Sequence, residues 1–243
     1  MRIPRIYQQT LLVSGETIEL DSSASHHLTR VLRLKTSDTI IVFNGKGGEY
    51  SAQLLVENKK TFAIIQQFHD INNESPLDIT LLQGISKGER MDLAIQKAVE
   101  LGVKRIIPVF CQRSVVNLKN DRAEKKHQHW QGIVVNACEQ SGRTYLPLLE
   151  PSVKLTELLN VSLDGYKLTL DPTATQYLAS LNVKDTKITL LIGPEGGLTD
   201  EEILLAANRG FTGINLGPRV LRTETAALAC IAALQTLWGD FRS

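Results

Sequence analysis

The sequence predicts an α/β protein with two domains, a small β-rich domain followed by a larger domain built on a mainly parallel sheet. Three features of the 243 residues indicate this arrangement. Before residue 69, runs of β-branched residues are separated by turns. After residue 76, segments of strand character alternate with segments of helical periodicity. The stretch 69–76 between them is polar and ends in proline, so we predict domains 1–72 and 73–243.

In the first domain we predict three strands and one short helix. Thr39–Phe43 is a compact β-branched run, and the glycine-rich segment 44–48 after it is typical of a turn. Ser51–Val56 and Thr61–Gln67 have the same strand character. Ser25–Leu34 is predicted to be helical. Its apolar face is formed by Leu28, Val31, Leu32 and Leu34. These elements favour a small barrel or a curled sheet.

Strands and helices alternate in the second domain, which is the pattern of a parallel sheet with crossover helices. The predicted strands are Ile79–Ile85, Arg105–Phe110, Lys167–Leu170, Lys187–Ile192 and Gly213–Leu216. The predicted helices are 87–101, Arg122–Ser141, 200–209 and Thr223–Trp238.

Capping boxes indicate where two of these helices begin. In each box a hydroxyl residue stands three positions before a glutamate, as Ser86 does before Glu89 and Thr199 before Glu202. Gly102 follows the predicted end of the first helix, where a left-handed backbone conformation commonly ends a helix.

Composition and charge indicate a soluble protein of the cytoplasm. The formal net charge is only +1, so any basic surface for a nucleic acid must be local. No apolar run approaches the roughly 18 residues of a membrane span, and the first residues lack the apolar segment of a secretory signal. Cys111, Cys138 and Cys230 are odd in number and widely spaced, which favours free, buried thiols over disulfides.

Two consecutive strand ends carry loops rich in glycine and proline. Gly193–Leu198 follows the predicted strand that ends at Ile192, and Gly217–Ala226 follows the one that ends at Leu216. In open α/β sheets ligands bind beyond the carboxyl ends of the strands. Glycine lets a backbone approach a ligand closely, so two such loops could hold a flat ring between them. The alternative is that both are ordinary tight turns.

Several common motifs are absent from the sequence. There is no G-x-x-x-x-G-K-[ST] and no G-x-G-x-x-G after a strand, which argues against nucleoside triphosphates and dinucleotides, and so against a Rossmann-type oxidoreductase. There is no H-E-x-x-H and no C-x-x-C, so we expect no metal site. There is also no G-x-S-x-G elbow of a hydrolase.

Six segments together resemble the bacterial 16S rRNA (uracil(1498)-N(3))-methyltransferase family, which belongs to the SPOUT class of knotted methyltransferases. The two C-terminal loops are the most specific of them. The segments are His26–Leu34, Lys87–Asp92, Gln96–Val103, Glu139–Arg143, Gly193–Gly197 and Leu216–Ala226. They follow the family's order across nearly the whole chain.

This resemblance implies a fold and an activity. The first domain would be a PUA-like RNA-binding domain, and the second a methyltransferase domain with a deep trefoil knot. The protein would act as a homodimer, with the cofactor pocket beside the dimer interface. It would transfer a methyl group from S-adenosylmethionine to the N3 atom of one uridine of 16S rRNA, in the small ribosomal subunit. The sulfonium methyl group is already activated, so the reaction needs no metal.

The resemblance also implies which residues hold the cofactor. They lie at the end of one strand and in the two glycine-rich loops, where apolar and glycine residues suit an adenine ring. They are Leu170, Gly193, Pro194, Glu195, Gly196, Gly197, Leu198, Leu216, Gly217, Pro218, Val220, Leu221, Arg222 and Thr223.

Arg222 and Glu224, just after the second loop, are the candidate catalytic residues. The uracil imide nitrogen carries a weakly acidic proton that must be removed, or its anion must be stabilised. Arginine stays protonated, so Arg222 would stabilise charge on the uracil oxygens or hold a phosphate. Glu224 would accept the proton, directly or through water. The alternative for Glu224 is a first-turn residue favoured by the helix dipole.

The candidate RNA-contacting residues are cationic side chains of the first domain, which would contact phosphates. They are Arg2, Arg5, His26, His27, Arg30, Arg33, Lys35 and Lys46. The alternative is an ordinary solvated helix face.

Two other functions stay open on the sequence alone. One is a SPOUT enzyme that methylates a different RNA site, such as a ribose hydroxyl or a base of transfer RNA. The other is a non-catalytic RNA-binding or ribosome-assembly factor that keeps the pocket only as part of its fold.

Overall fold

The computed structural model describes residues 3–58, 60–115 and 121–241. The chain divides into two units, of which the first comprises Met1–Glu74 with Val135–Leu146, and the second Ser75–Val134 with Pro147–Ser243. The division places the end of one long helix with the first unit. The domain limits that we predict, 1–72 and 73–243, stay a proposal.

The first unit contains a five-stranded sheet. Its strands are β1 (Arg5–Tyr7), β2 (Thr17–Glu19), β3 (Thr39–Phe43), β4 (Glu49–Glu57) and β5 (Lys60–His69). They lie in the order β1-β3-β4-β5-β2, with β1 parallel to β3 and the other pairs antiparallel. The three predicted strands are present as β3, β4 and β5, and one face of the sheet packs into a buried aliphatic cluster.

A short helix of the first unit differs from the prediction over Ser25–Leu34. α1 (Ser22–His26) begins earlier, because Asp21 caps it by accepting a hydrogen bond from the amide of Ala24 over 2.9 Å. A π-helical turn, His27–Val31, continues it. A π turn holds more residues than an α turn and so rotates the side chains that follow. Leu28 is therefore buried, whereas Val31 and Leu32, which we expected on the same apolar face, are exposed.

The second unit contains a seven-stranded sheet in which every pairing is parallel. Its strands are β6 (Asp78–Gly84), β7 (Arg105–Phe110), β8 (Leu148–Leu149), β9 (Val153–Lys154), β10 (Tyr166–Leu170), β11 (Lys187–Ile192) and β12 (Thr212–Ile214). They run in the order β12-β10-β11-β6-β7-β8, and β9 also pairs with β7. All carboxyl ends therefore meet at one edge of the sheet.

The helices of this part of the chain follow the predicted alternation. They are α2 (Glu89–Glu100), α3 (Asp121–Ser141), α4 (Leu155–Leu158), α5 (Asp200–Asn208) and α6 (Thr223–Trp238). The start and end of α6 agree with the prediction, and α2 packs against it. None of the helices within the described ranges is long and apolar enough to cross a bilayer.

One of the two predicted capping boxes is present. At the start of α5, Thr199 accepts a hydrogen bond from the amide of Glu202, and the Glu202 carboxylate accepts one from the amide of Thr199. The box predicted at Ser86 is wrong. The N-cap residue, which directly precedes α2, is Gly88, and its φ of 61° suits glycine. Ser86 instead donates to the carbonyl of Gly84 over 3.3 Å.

The end of β6 lies directly against the loop that follows β11. A Cβ atom built on Gly84 would lie 2.4 Å from the nitrogen of Pro194 and 2.6 Å from the carbonyl carbon of Gly193. These contacts are with backbone, which cannot rotate away as a side chain does. Glycine at position 84 is thus what allows the two strand ends to approach.

Replacing Gly84 with alanine tests this contact. We expect the free energy of unfolding to fall by about 3 kcal/mol, because the added methyl group overpacks a site walled by backbone. Urea denaturation measures the change.

The matched control is Gly132→Ala in α3, where a Cβ atom would meet nothing within 4 Å outside the helix. Alanine there should raise the free energy of unfolding by about 0.5–1 kcal/mol, because alanine has the higher helix propensity. A Gly84→Ala protein as stable as the wild type would contradict the close approach.

Candidate functional site

A cavity of about 380 Å³ opens at the carboxyl edge of the parallel sheet. Its wall consists mainly of three loops, those that follow β10, β11 and β12. They contribute residues 170–173, 192–198, and 214–216 with 219–221. Arg113 from the loop after β7, Asp200 and Ile203 of α5, and the first turn of α6 complete the wall. The cavity lies where ligands bind in parallel α/β sheets.

The loop after β11, residues 193–198, is here named the glycine loop. A Cβ atom on Gly193 would lie 2.9 Å from the amide nitrogen of Leu198, so this loop folds tightly on itself. Gly197 has a φ of 70° and donates its amide to the carbonyl of Pro194 over 2.9 Å. The loop can thus present its main chain to a ligand at short range.

Asn215 joins the loops that follow β10 and β12. Its amide nitrogen donates to the carbonyls of Pro172 and Ala174, over 3.1 and 3.4 Å. Its amide oxygen accepts from the backbone of Gly217 over 2.7 Å, and Gly217 has a φ of 126°. One side chain therefore holds both loops, and the sequence carried no signal for it.

Arg113 anchors the glycine loop from the side of β7. Its Nη1 atom donates to the carbonyls of Gly196 and Leu198, each over 3.1 Å. The neighbouring Gln112 donates its amide to Glu202 over 2.8 Å, so the carboxylate that caps α5 also holds this segment. Arg113 lies 80 or more residues from these partners in sequence, which is why the motifs did not reveal it.

Glu195 joins the glycine loop to the start of α2. Its Oε1 atom accepts a hydrogen bond from the amide of Lys87 over 2.8 Å and lies 3.4 Å from Nη1 of Arg90. Burial by itself raises the pKa of this carboxyl. The backbone hydrogen bonds and the Arg90 charge outweigh it, so the pKa lies below its ordinary value. Glu195 is therefore ionised at neutral pH.

The wall of the cavity has both apolar and charged parts. Leu170, Ile192, Ile214 and Leu221 supply aliphatic surface, as a flat aromatic ring requires. The charged residues on the wall are Arg113, Asp171, Glu195, Asp200 and Arg219. A ligand that combines an aromatic ring with an ionised end would fit this arrangement.

Comparison with known proteins identifies the family. A family model of an RNA methyltransferase domain matches residues 73–235, and a model of an RNA methyltransferase PUA domain matches residues 20–66. The ribosomal RNA small subunit methyltransferase E of Buchnera aphidicola is 40% identical over 98% of this chain and 98% of its own. The chain belongs to the ribosomal RNA small subunit methyltransferase E family.

Two solved structures are similar over the whole chain. A methyltransferase from Legionella pneumophila in complex with S-adenosylmethionine has a TM-score of 0.96 and 40% identity, and covers 99% of this chain and 100% of its own. The methyltransferase E of Neisseria gonorrhoeae, bound to S-adenosylmethionine, has a TM-score of 0.92, 42% identity and the same coverage. The predicted fold class, with its PUA-like and parallel-sheet parts, is confirmed. The knot stays a prediction.

Most residues that the family resemblance assigns to the cofactor lie on the cavity wall. Those on the wall are Leu170, Gly193, Pro194, Glu195, Gly196, Gly197, Leu198, Leu216, Val220, Leu221 and Thr223. Gly217, Pro218 and Arg222 belong to the same loop but are not part of the wall. Wall residues outside the family motifs include Arg113, Asp171, Pro172, Thr173, Asp200 and Ile203. Binding of a ligand by this set stays a prediction.

The two residues that we predict to be catalytic, Arg222 and Glu224, lie beside the wall, not on it. Arg222 is exposed, and its side chain has no ion pair or hydrogen bond to the residues the structure describes. Glu224 is only 8% exposed, and its Oε2 atom has no hydrogen-bond partner among them. The structure thus brings a free cation and a buried carboxylate to the start of α6, next to Thr223.

The predicted RNA-contacting set of the first unit needs one correction. Arg5 has only 7% of its side chain exposed, and its Nε atom donates to Glu49 over 2.9 Å. Its Nη1 atom donates to the carbonyl of Cys138 over 2.7 Å. These internal bonds leave Arg5 unable to meet a phosphate, so we withdraw it. Arg2 lies outside the described residues.

The other six residues of the predicted RNA-contacting set are exposed. None of their side chains has an ion pair or hydrogen bond within residues 3–58, 60–115 and 121–241. They are His26, His27, Arg30, Arg33, Lys35 and Lys46. Five of them lie along α1, its π turn and the residues just after it. Unpaired, solvated arginine and lysine side chains are what phosphate contacts require, and the two histidines can donate hydrogen bonds beside them.

Proposed function

We propose that this protein transfers a methyl group from S-adenosylmethionine to 16S rRNA of the small ribosomal subunit, at the N3 atom of the uridine numbered 1498 in the family's naming. The observation that carries the proposal is the cavity at the carboxyl edge of the sheet. Its two glycine-rich loops are the family's most specific segments, and relatives with this fold bind S-adenosylmethionine. The family name supports small-subunit rRNA as the substrate.

The cavity fits the cofactor chemically. The aliphatic residues at the ends of β10, β11 and β12 would enclose the adenine, and main-chain groups of the glycine loop would meet its polar edge. The charged wall residues would face the ionised methionine end. The bound cofactor supplies a methyl group already activated by the sulfonium charge.

The residues at the start of α6 would act on the uracil. The imide N3 atom must lose its proton before it can act as a nucleophile. Glu224 would accept that proton through a water molecule, because its carboxylate is buried and does not line the cavity. Arg222 would stabilise the negative charge on the uracil oxygens, since its side chain is free to reach a substrate.

The remaining parts of the proposal concern assembly and location. The exposed cations of the first unit would contact RNA phosphates. The protein would be a homodimer in the cytoplasm, with a trefoil knot in its methyltransferase domain. Sedimentation equilibrium distinguishes a monomer from a dimer, because a dimer has twice the chain mass of 26.9 kDa.

The first prediction concerns the product. Purified protein incubated with radiolabelled S-adenosylmethionine and unmodified small subunits should yield label that digestion identifies as 3-methyluridine. Naked 16S rRNA and bulk transfer RNA serve as parallel substrates. Label in transfer RNA or on a ribose would indicate a different target for the enzyme. No label and no cofactor binding would indicate a non-catalytic RNA-binding factor.

The second prediction separates the roles of Arg222 and Glu224. Glu224→Gln keeps the shape but cannot accept a proton, so the rate of methyl transfer should fall by about 10²- to 10⁴-fold. Arg222→Lys keeps the charge but loses the planar fork, and about a tenfold loss is expected. Single-turnover rates on small subunits measure both.

Binding of S-adenosylmethionine by calorimetry is the control for both variants, because it separates a loss of methyl transfer from a loss of cofactor affinity. A wild-type rate for Glu224→Gln would remove the glutamate from the mechanism. Full activity of Arg222→Lys would do the same for the arginine.

The third prediction concerns the RNA surface. Replacing Arg30 and Arg33 together with alanine should raise the KM for RNA by about tenfold and reduce the salt dependence of binding, because up to two phosphate contacts are lost. Lys60→Ala is the matched control, since Lys60 is an exposed cation of the same unit already paired with Glu19. Equal effects of the two changes would contradict the assignment.

A further inference from the structure

Within the described part of the chain, a single hydrogen bond holds the first peptide of the glycine loop. This peptide joins Gly193 to Pro194, and because proline has no N–H, the carbonyl of Gly193 is its single hydrogen-bonding group. The hydroxyl of Thr223 donates to that carbonyl over 2.6 Å. The first residue of α6 is therefore tied to the start of the loop.

Gln83, the residue before the end of β6, continues this chain of hydrogen bonds. The Thr223 hydroxyl has one proton, which it gives to the Gly193 carbonyl, so its oxygen can only accept from Gln83. Nε2 of Gln83 lies 3.0 Å from that oxygen and 3.2 Å from the carbonyl of Gly84. Both contacts require the nitrogen at this position, which fixes the orientation of the amide.

We propose that Gln83 is a positioning residue that acts through Thr223 to hold the glycine loop in the shape that binds S-adenosylmethionine. Gln83 is 0% exposed and is not on the cavity wall, whereas Thr223 and Gly193 both are. Of the two groups to which Gln83 donates, only Thr223 belongs to the wall, so an effect of Gln83 on a ligand would pass through Thr223. The inference rests on the proposed function, which supplies the ligand.

The surroundings of the Gly193–Pro194 peptide explain why this bond matters. The backbone of Gly84 lies against the same peptide, and a Cβ atom there would be 2.4 Å from the Pro194 nitrogen. That contact limits how near the peptide can come, but a steric contact does not stop the peptide from moving away. The hydrogen bond from the Thr223 hydroxyl holds the peptide in place, and Gln83 determines which way that hydroxyl points.

Three full-length variants test the proposal by calorimetric titration with S-adenosylmethionine. Thr223→Val removes the hydroxyl group but keeps the shape of the side chain. Gln83→Met removes the Nε2 donor but keeps a side chain of similar length. Each should raise the Kd by about five- to tenfold, because each breaks the chain of buried hydrogen bonds that ends at the Gly193 carbonyl. Thr223→Ser keeps the hydroxyl and should recover most of the affinity.

The double variant Gln83→Met with Thr223→Val distinguishes a relay from two separate effects. If Gln83 acts through Thr223, the double variant binds no more weakly than Thr223→Val alone. Effects on the Kd that multiply would overturn the proposal.

Gln235→Met is the matched control for a purely structural role. Gln235 is also a fully buried glutamine of the second unit, which accepts from Ser75 over 2.8 Å and donates to the carbonyl of Leu101 over 2.8 Å. Its replacement should lower thermal stability as Gln83→Met does, but leave the Kd unchanged. A Gln83→Met protein that loses stability and keeps the wild-type Kd would overturn the proposal.

If the proposed function is wrong, the calorimetric result differs from the one expected if only the role of Gln83 is wrong. In that case the wild-type chain itself would show no heat of binding with S-adenosylmethionine. If the wild type binds and the Gln83→Met variant binds equally well, the relay alone is wrong.

Discussion

The second unit depends on how closely the loop after β11 can approach the end of β6. Both strands are buried in a parallel sheet, so their carboxyl ends emerge side by side. Gly84 has no side chain to separate them, and the Gly193–Pro194 peptide lies where a Cβ atom of any other residue would stand. This contact brings the glycine loop over the sheet edge, where it forms one wall of the cavity.

Each loop of the cavity wall is held by hydrogen bonds from a side chain. Thr223 binds the start of the glycine loop, Arg113 its later carbonyls, and Asn215 joins the other two loops. Loops bound in this way keep their shape without a ligand, so less ordering is needed when one binds. These hydrogen bonds thus favour a cavity that needs little rearrangement to hold a ligand.

Much of the second unit could be predicted from the sequence, and the reasons are physical. The bounds of β7, β11 and α6 agree with the predictions, because continuous apolar runs and a long alanine-rich helix are strong local signals. The capping box at Thr199 could also be predicted, because the spacing of Thr199 and Glu202 is a local pattern. Ser86 has the same spacing from a glutamate but forms no capping box. Its hydroxyl donates to the carbonyl of Gly84, and Gly88 turns the chain before α2 begins.

The features that were missed depend on contacts between distant residues. Strands of two or three residues, such as β1 and β8, carry too short a pattern to recognise. Arg5 is charged and near the start of the chain, yet its partners lie up to 138 residues away. Arg113 bonds to the glycine loop directly, and Gln83 bonds to Thr223, which in turn bonds to the loop. No local sequence pattern connects either residue with the loop. The family resemblance identified the cofactor loops but neither Arg113 nor Gln83.

The most direct test of this account is a crystal structure of the protein grown with S-adenosylhomocysteine, the product form of the cofactor. The account predicts electron density for the nucleoside between the loops that follow β10, β11 and β12, with the adenine against the aliphatic wall. It also predicts that Gly193, Thr223 and Gln83 keep the hydrogen bonds described above. Density for the nucleoside at any other place on the chain would contradict the account.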